Sequence, residues 1–165
     1  MLSFARATVD DAPTLCAAST PSFDDDARRF FGMEAGGPPG YNDLQYHISL
    51  AASTAYKEQY TYYKILWDQE IIGGIVIFPQ SNDTCHLGCI FILPEYQSRG
   101  LGAQCLAFLD QEYPKAKRWT LSTPSCCTRN QHFYEKHGFV KVGEEGEPEP
   151  GDFPDWKYER ITAKT

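Results

Sequence analysis

The chain has 165 residues, 42% of them hydrophobic and 14% aromatic, enough for a single folded domain over 1–165 with a real core. A net charge of −7 leaves no basic stripe to neutralise phosphates, which argues against nucleic acid as a partner. No run approaches the roughly 18 apolar residues of a membrane span, so no membrane partner is expected. The N-terminal MLSFARATVDDAP carries no apolar stretch behind positive charge, hence no secretory signal. Six cysteines without disulfide-framework spacing read as reduced thiols, and the protein as cytoplasmic.

In chain order, residues 3–7 read as a first strand. Asp10 or Asp11 caps a helix that has Pro13 in its first turn, where a proline is tolerated. Residues 22–31 look helical, with Asp24/Arg28 and Asp25/Arg29 at i,i+4 spacing. GGPPG at 36–40 interrupts, and a helix resumes over 42–53. The period then changes: 60–67, 71–78 and 84–93 are β-rich and separated by short turns, an antiparallel meander. After PEYQSRGLGAQ a helix carries Leu101, Cys105, Phe108 and Leu109 on one face. A strand at 118–122 precedes a helix at 126–137 capped by Ser125 and closed by Gly138. Strands at 139–143 and 155–161 flank an acidic loop. The sum is an α+β (mixed α/β) fold with a largely antiparallel sheet.

The segment between the third meander strand and its helix is the informative one. Gly100-x-Gly102 follows a strand ending in Pro94, which holds Leu93 extended and lacks a ladder donor. A phosphate loop of the Walker type needs Lys and Ser/Thr after its last glycine; here Ala103 and Gln104 follow. A dinucleotide fingerprint needs a glycine where Cys105 stands. What remains is either a tight strand-to-helix turn with no ligand, or a helix N-terminus whose free amides and dipole hold a diphosphate.

A second stretch favours the ligand. Gln97-x-x-Gly100-x-Gly102-Ala103 after an apolar strand resembles the acetyl-CoA-binding motif of the GNAT superfamily of N-acetyltransferases, and RNQHFYEKHGFVKVGE, 129–144, resembles that family's second signature. The resemblance spans nearly the whole chain, although only 90–104 and 122–142 are specific. It implies a single GNAT-like domain, acetyl-CoA as cosubstrate with no metal, a primary amine of a small molecule or peptide as acceptor, and a monomer or homodimer. By the same resemblance, the pyrophosphate meets the amides of Gln97, Ser98, Arg99, Gly100, Leu101, Gly102 and Ala103, while the backbone of Ile92 and Leu93 meets the pantetheine arm.

Tyr134 is the candidate acid for the leaving thiolate, a phenol near pKa 10 being matched to a thiol; its other reading is a packing tyrosine. Many members carry asparagine seven residues before this tyrosine. Here that residue is Cys127, and Asn130, i−4 to Tyr134, is the candidate substitute. Members that use a strand glutamate as base have no counterpart on TCHLGCIFIL, where His86 is the one titratable nitrogen. A half-exposed histidine without a role, or water acting alone, are the alternatives.

Cys85, His86 and Cys89 with Cys126 and Cys127 raise zinc, but no C-x2-C pair exists. A Cys126 or Cys127 nucleophile at a helix start is a further reading that direct attack by the amine makes unnecessary. The resemblance also implies that acceptor selection falls to Phe23, Phe30, Phe31, Tyr41, Tyr46, His47 and the 144–152 loop, whose aromatics and carboxylates suit an amine with an apolar body; the other reading is that the aromatics fill core and the acidic loop is solvated. The alternative from another class is a non-catalytic acyl-CoA-binding sensor of the same fold.

Overall fold

The computed structural model describes residues 1–53, 60–79, 81, 83–145 and 154–162. Its strands, β1 (Leu2–Arg6), β2 (Thr61–Trp67), β3 (Glu70–Pro79), β4 (Thr84–Ile92), β5 (Arg118–Pro124), β6 (Val140–Glu145) and β7 (Asp155–Ile161), form a seven-stranded sheet in the order β1-β2-β3-β4-β5-β7-β6. All neighbours are antiparallel except β4 and β5. This is the α+β architecture the sequence pattern anticipates. No helix among the described residues is long and apolar enough to cross a membrane.

Alternating apolar positions give the sheet two packed faces. Tyr63, Ile65, Ile75, Ile77, Leu87, Trp119, Leu121 and Tyr158 face α3 (Leu101–Glu112) and α4 (Thr128–Lys136). Leu101, Cys105 and Leu109 recur at helical spacing to supply the α3 side. Burying such a leucine stabilises the fold by roughly 1.5–3 kcal/mol. On the opposite face, Leu15 and Ala18 of α1 (Ala12–Asp26) and Leu50 and Ala51 of α2 (Leu44–Ser53) pack on Tyr62, Val76 and Phe91.

Two features of the first helix differ from expectation. The helix expected over 22–31 is not separate: α1 passes through Pro21 and widens into a π-helical turn, Ala27–Phe31, that ends at left-handed Gly32. Pro21 lacks an amide, and neighbouring hydroxyls bond back instead, Thr20 Oγ1 to Cys16 O at 2.9 Å and Ser22 Oγ to Ala18 O at 2.6 Å. Of the two expected ion pairs, Arg29–Asp25 forms at 3.5 Å. Asp24 instead accepts from Tyr41 Oη at 2.6 Å and the Gly36 amide at 3.1 Å, folding the GGPPG segment back onto α1. Asp11 stands at the start of α1 but makes no side-chain cap bond to it; its carboxylate reaches back instead and accepts from the Thr8 amide at 2.8 Å.

The joint between β4 and β5 is what positions the site. They pair only at Thr84–Arg118, Cys85–Trp119 and His86–Thr120. Beyond that point β4 stays with β3 as far as Ile92, while β5 stays with β7 as far as Pro124, so a wedge opens between them. The register of β4 slips at the start of the wedge, where Val76 faces Cys89 and Ile77 faces Leu87, leaving Gly88 as the extra residue of a bulge. Of the acidic loop expected over 144–152, Glu144 and Glu145 belong to β6, and 146–152 lie outside the described residues.

Candidate active site

A cavity of about 320 Å³ lies along the splayed end of β4. Its floor is β4, through Ile90, Phe91 and Ile92; its far end is the turn from Gln97 to Ala103; Asn130, Phe133 and Tyr134 of α4 form one wall, with Ser22, Phe23 and Asp26 of α1 across from them.

The turn is shaped by two unusual backbone positions. Ser98 has φ of 61° and Gly100 φ of 76°, both left-handed, and Gly100 is the residue on which α3 starts. The amide of Gln97 bonds Pro94 O at 3.2 Å and that of Gln104 bonds Gly100 O at 3.4 Å. The amides of 98–103 between them have no backbone acceptor among the described residues. They belong to the first turn of a twelve-residue helix and the loop that leads into it, where donors converge and the dipole adds positive potential. A Cβ at Gly100 would meet nothing within 4 Å, so the space in front of the turn is open. At Gly102 a Cβ would lie 2.9 Å from Phe133 Cζ: this glycine lets α3 and α4 close on each other. Arg99, beside the turn, is exposed and lies over the Tyr96 ring at 5.4 Å. These groups suit a diphosphate.

Tyr134 is buried in the cavity wall, its ring held edge-on by Phe133 at 5.1 Å and Phe139 at 5.5 Å. Burial raises its phenol above the ordinary value, so the hydroxyl keeps its proton until a strong base appears beside it. Asn130 also reaches the cavity, its Nδ2 donating to Thr123 Oγ1 at 3.3 Å across the wedge.

Three of the candidate site residues, Leu93, His86 and Arg99, are not among those that line the cavity. The Leu93 amide donates to Ile72 O at 2.8 Å, so it serves the β3 edge. His86 lies on the closed end of the wedge, with Nδ1 2.8 Å from Thr120 Oγ1, and burial lowers its pKa. Ile92 does line the cavity; its carbonyl accepts from Gln97 Nε2 at 2.8 Å.

That bond begins a chain the sequence does not announce. Gln97 Oε1 accepts from Arg129 at 3.0 Å, and Arg129 ion-pairs with Asp26 at 2.9 Å while lying 5.4 Å from the Phe30 ring. The run ties the turn, α4 and α1 together over the cavity. Burial raises the pKa of Asp26, with Arg129 opposing. Nothing in the sequence pairs Asp26 with Arg129, 103 residues apart.

The cysteine constellations dissolve in three dimensions. Cys85 is buried against the α3 face, and burial pushes the Cys127 thiol up to about 12, opposite to what a nucleophilic thiolate needs. No group of three or more His, Cys, Asp or Glu is placed to hold a metal ion among the described residues.

A sheet that splays between two parallel strands, with a glycine turn and helix N-terminus at the open end, suits an anionic ligand, and comparison with known proteins supplies the family. The family model for the acetyltransferase (GNAT) domain matches residues 58–141, and the chain belongs to that family. Among solved structures it superposes on the PaiA N-acetyltransferase of Thermoplasma acidophilum in complex with coenzyme A, with a TM-score of 0.81, 16% identity, and coverage of 98% of this chain and 99% of that one. An acetyltransferase from Thermus thermophilus gives a TM-score of 0.76 at 20% identity, covering 98% and 97%. Likenesses at these identities show the fold alone. A curated relative, the uncharacterized protein YrkN of Bacillus subtilis (strain 168), is 30% identical over 112 residues, 67% of this chain and 57% of the relative, so the chain spans less than two thirds of its length.

Proposed function

We propose that this chain moves an acetyl group from acetyl-CoA to a primary amine of a small molecule or peptide by direct attack. The observation that carries the reading is the pairing, in one cavity, of unpartnered amides at 98–103 with the Tyr134 side chain on the adjacent wall. The amides and Arg99 hold the pyrophosphate, and Asn130 and the Ile92 carbonyl border the channel for the pantetheine arm. The neutral amine attacks the thioester carbonyl, the C–N bond forms, the C–S bond breaks, and the departing thiolate takes the Tyr134 proton. Water carries away the proton the amine loses. Six free thiols support a cytoplasmic setting, and the chain works as a monomer or homodimer.

A second reading, acyl-CoA binding without turnover, is favoured by one observation: His86, the sole titratable nitrogen of β4, stays out of the cavity. The test is isotope-labelled acetyl-CoA with a broad panel of amines, product formation being read by mass spectrometry. Transfer to an amine establishes the enzyme. Binding of coenzyme A with no transfer supports the second reading, and no binding defeats both.

A further inference from the structure

A second cavity, about 80 Å³, lies beside the first. It is several times the ~10–15 Å³ needed for one water. Phe23 and Phe91 line both cavities, with their ring centroids 5.9 Å apart, and form the partition. Strand β4 runs from one to the other: Gly88 and Cys89 line the second, Ile90 to Ile92 the first. The bulge therefore stands where the two spaces meet.

The walls are aromatic by construction. Tyr41, Tyr46 and Phe78 complete a ring-lined chamber with Phe23 and Phe91. Each of the three is seated on a glycine backbone. A Cβ at Gly37 would lie 2.7 Å from the Tyr41 ring, one at Gly40 2.3 Å from the Tyr46 ring, and one at Gly88 2.4 Å from the Phe78 ring. The GGPPG segment and the β4 bulge are thus the surfaces on which the rings rest.

The chamber offers rings and few free polar groups. Among the described residues, no Asp, Glu, Lys or Arg lines it. His47 has both ring nitrogens engaged, Nε2 with Tyr41 O at 2.9 Å and Nδ1 with Tyr62 Oη at 2.9 Å, and the Tyr41 hydroxyl is spent on Asp24. The Tyr41 carbonyl can only accept, so Nε2 donates to it. A charged body placed here would lose water without gaining an opposite charge, whereas an alkyl or aryl body gains about 25 cal/mol for each Å² buried.

We infer that the second cavity is the acceptor chamber, and that the acceptor is a primary amine on a short apolar or aromatic body, not a polyamine. The inference rests on the acetyl-transfer reading above. The amine nitrogen sits at the Phe23–Phe91 partition, facing the cavity that holds Tyr134, and its body fills the ring-lined space. The same apolar walls lower the ammonium pKa by desolvation, which supplies neutral amine where β4 supplies no base.

The test compares acetyl transfer to benzylamine and hexylamine with transfer to 1,6-diaminohexane, which adds a second ammonium to the same carbon chain. The expected kcat/KM for the monoamines is at least about tenfold higher, since the far ammonium has no partner in the chamber. Equal or better use of the diamine overturns the inference and leaves the acetyl-transfer reading standing; no transfer to any amine overturns both. Tyr46→Ala, at a half-exposed mouth position where folding is tolerant, should raise KM for hexylamine about fivefold or more with little change in kcat, and Tyr46→Phe should restore it, because the ring and not the hydroxyl is used. A KM that does not move in Tyr46→Ala also overturns the inference.

Discussion

The proposed coenzyme end and the proposed acceptor end of the two cavities are built by different means. At the first, consecutive residues from Ser98 to Ala103 present backbone amides, and Gly100 and Gly102 contribute by having no side chain. At the other end, rings from α1, the segment before α2, α2 itself, β3 and β4 converge on one space, and each is placed by a different part of the chain. A ligand held by backbone needs a particular local conformation, which glycines at fixed spacing reveal. A ligand held by converging side chains needs only that distant segments meet, and leaves no local trace.

The largest effect that sharpens this contrast lies between the two ends. Tyr134→Phe should lower kcat by about 10²–10⁴-fold, the range for loss of a positioned acid, while the Kd for coenzyme A, measured by calorimetry, stays the same. A joint loss of both would make Tyr134 a packing residue.

Next comes the turn itself. Gly100→Ala places a side chain at φ of 76°, which costs roughly 1–2 kcal/mol. If that strain is relieved by distorting the turn, the Kd for coenzyme A rises about 5–30-fold, and the ranking of amines is untouched. A changed ranking with an unchanged Kd would reverse the assignment of the two ends. Gly102→Ala acts through α4, because its Cβ must displace Phe133. Overpacking of this kind costs about 1–3 kcal/mol in denaturant unfolding, and Phe133→Leu in the same chain should recover part of it. Additive losses would mean that the two positions are not in contact.

The smallest effect concerns His86. Burial holds its pKa below 6.5, so the folded protein binds fewer protons than the unfolded chain between the two values. Stability from this source is complete above the unfolded value and is lost as pH falls through the folded one. His86→Gln should flatten the loss between neutral and mildly acidic pH, at a cost of roughly 1 kcal/mol near neutrality from the bond to Thr120. An unchanged pH slope would place the acid sensitivity elsewhere.

Most of the sheet was legible because its strands alternate and its turns are short, as in 60–67, 71–78 and 84–93. The turn into α3 was legible because it carries Gly100 and Gly102, one used for its left-handed backbone and the other for the approach of Phe133. Less was visible where several local rules compete. Pro21 suggests a break in α1, yet hydroxyls at Thr20 and Ser22 bond back to carbonyls and the helix continues. His86 looks like a base in the sequence because nothing there shows that β4 and β5 remain paired at Thr120 and part only beyond it. GGPPG reads as an interruption, since the rings that rest on Gly37 and Gly40 are chosen by tertiary packing. The ion pair of Asp26 with Arg129 is of the same long-range kind.

The most direct test of this division of labour is the Kd of coenzyme A for Gly100→Ala and Tyr46→Ala, titrated side by side with the unaltered chain. Weaker binding in Gly100→Ala with unaltered binding in Tyr46→Ala is the result predicted. Unaltered binding in Gly100→Ala with weaker binding in Tyr46→Ala would contradict it, placing the coenzyme in the ring-lined chamber and not on the turn.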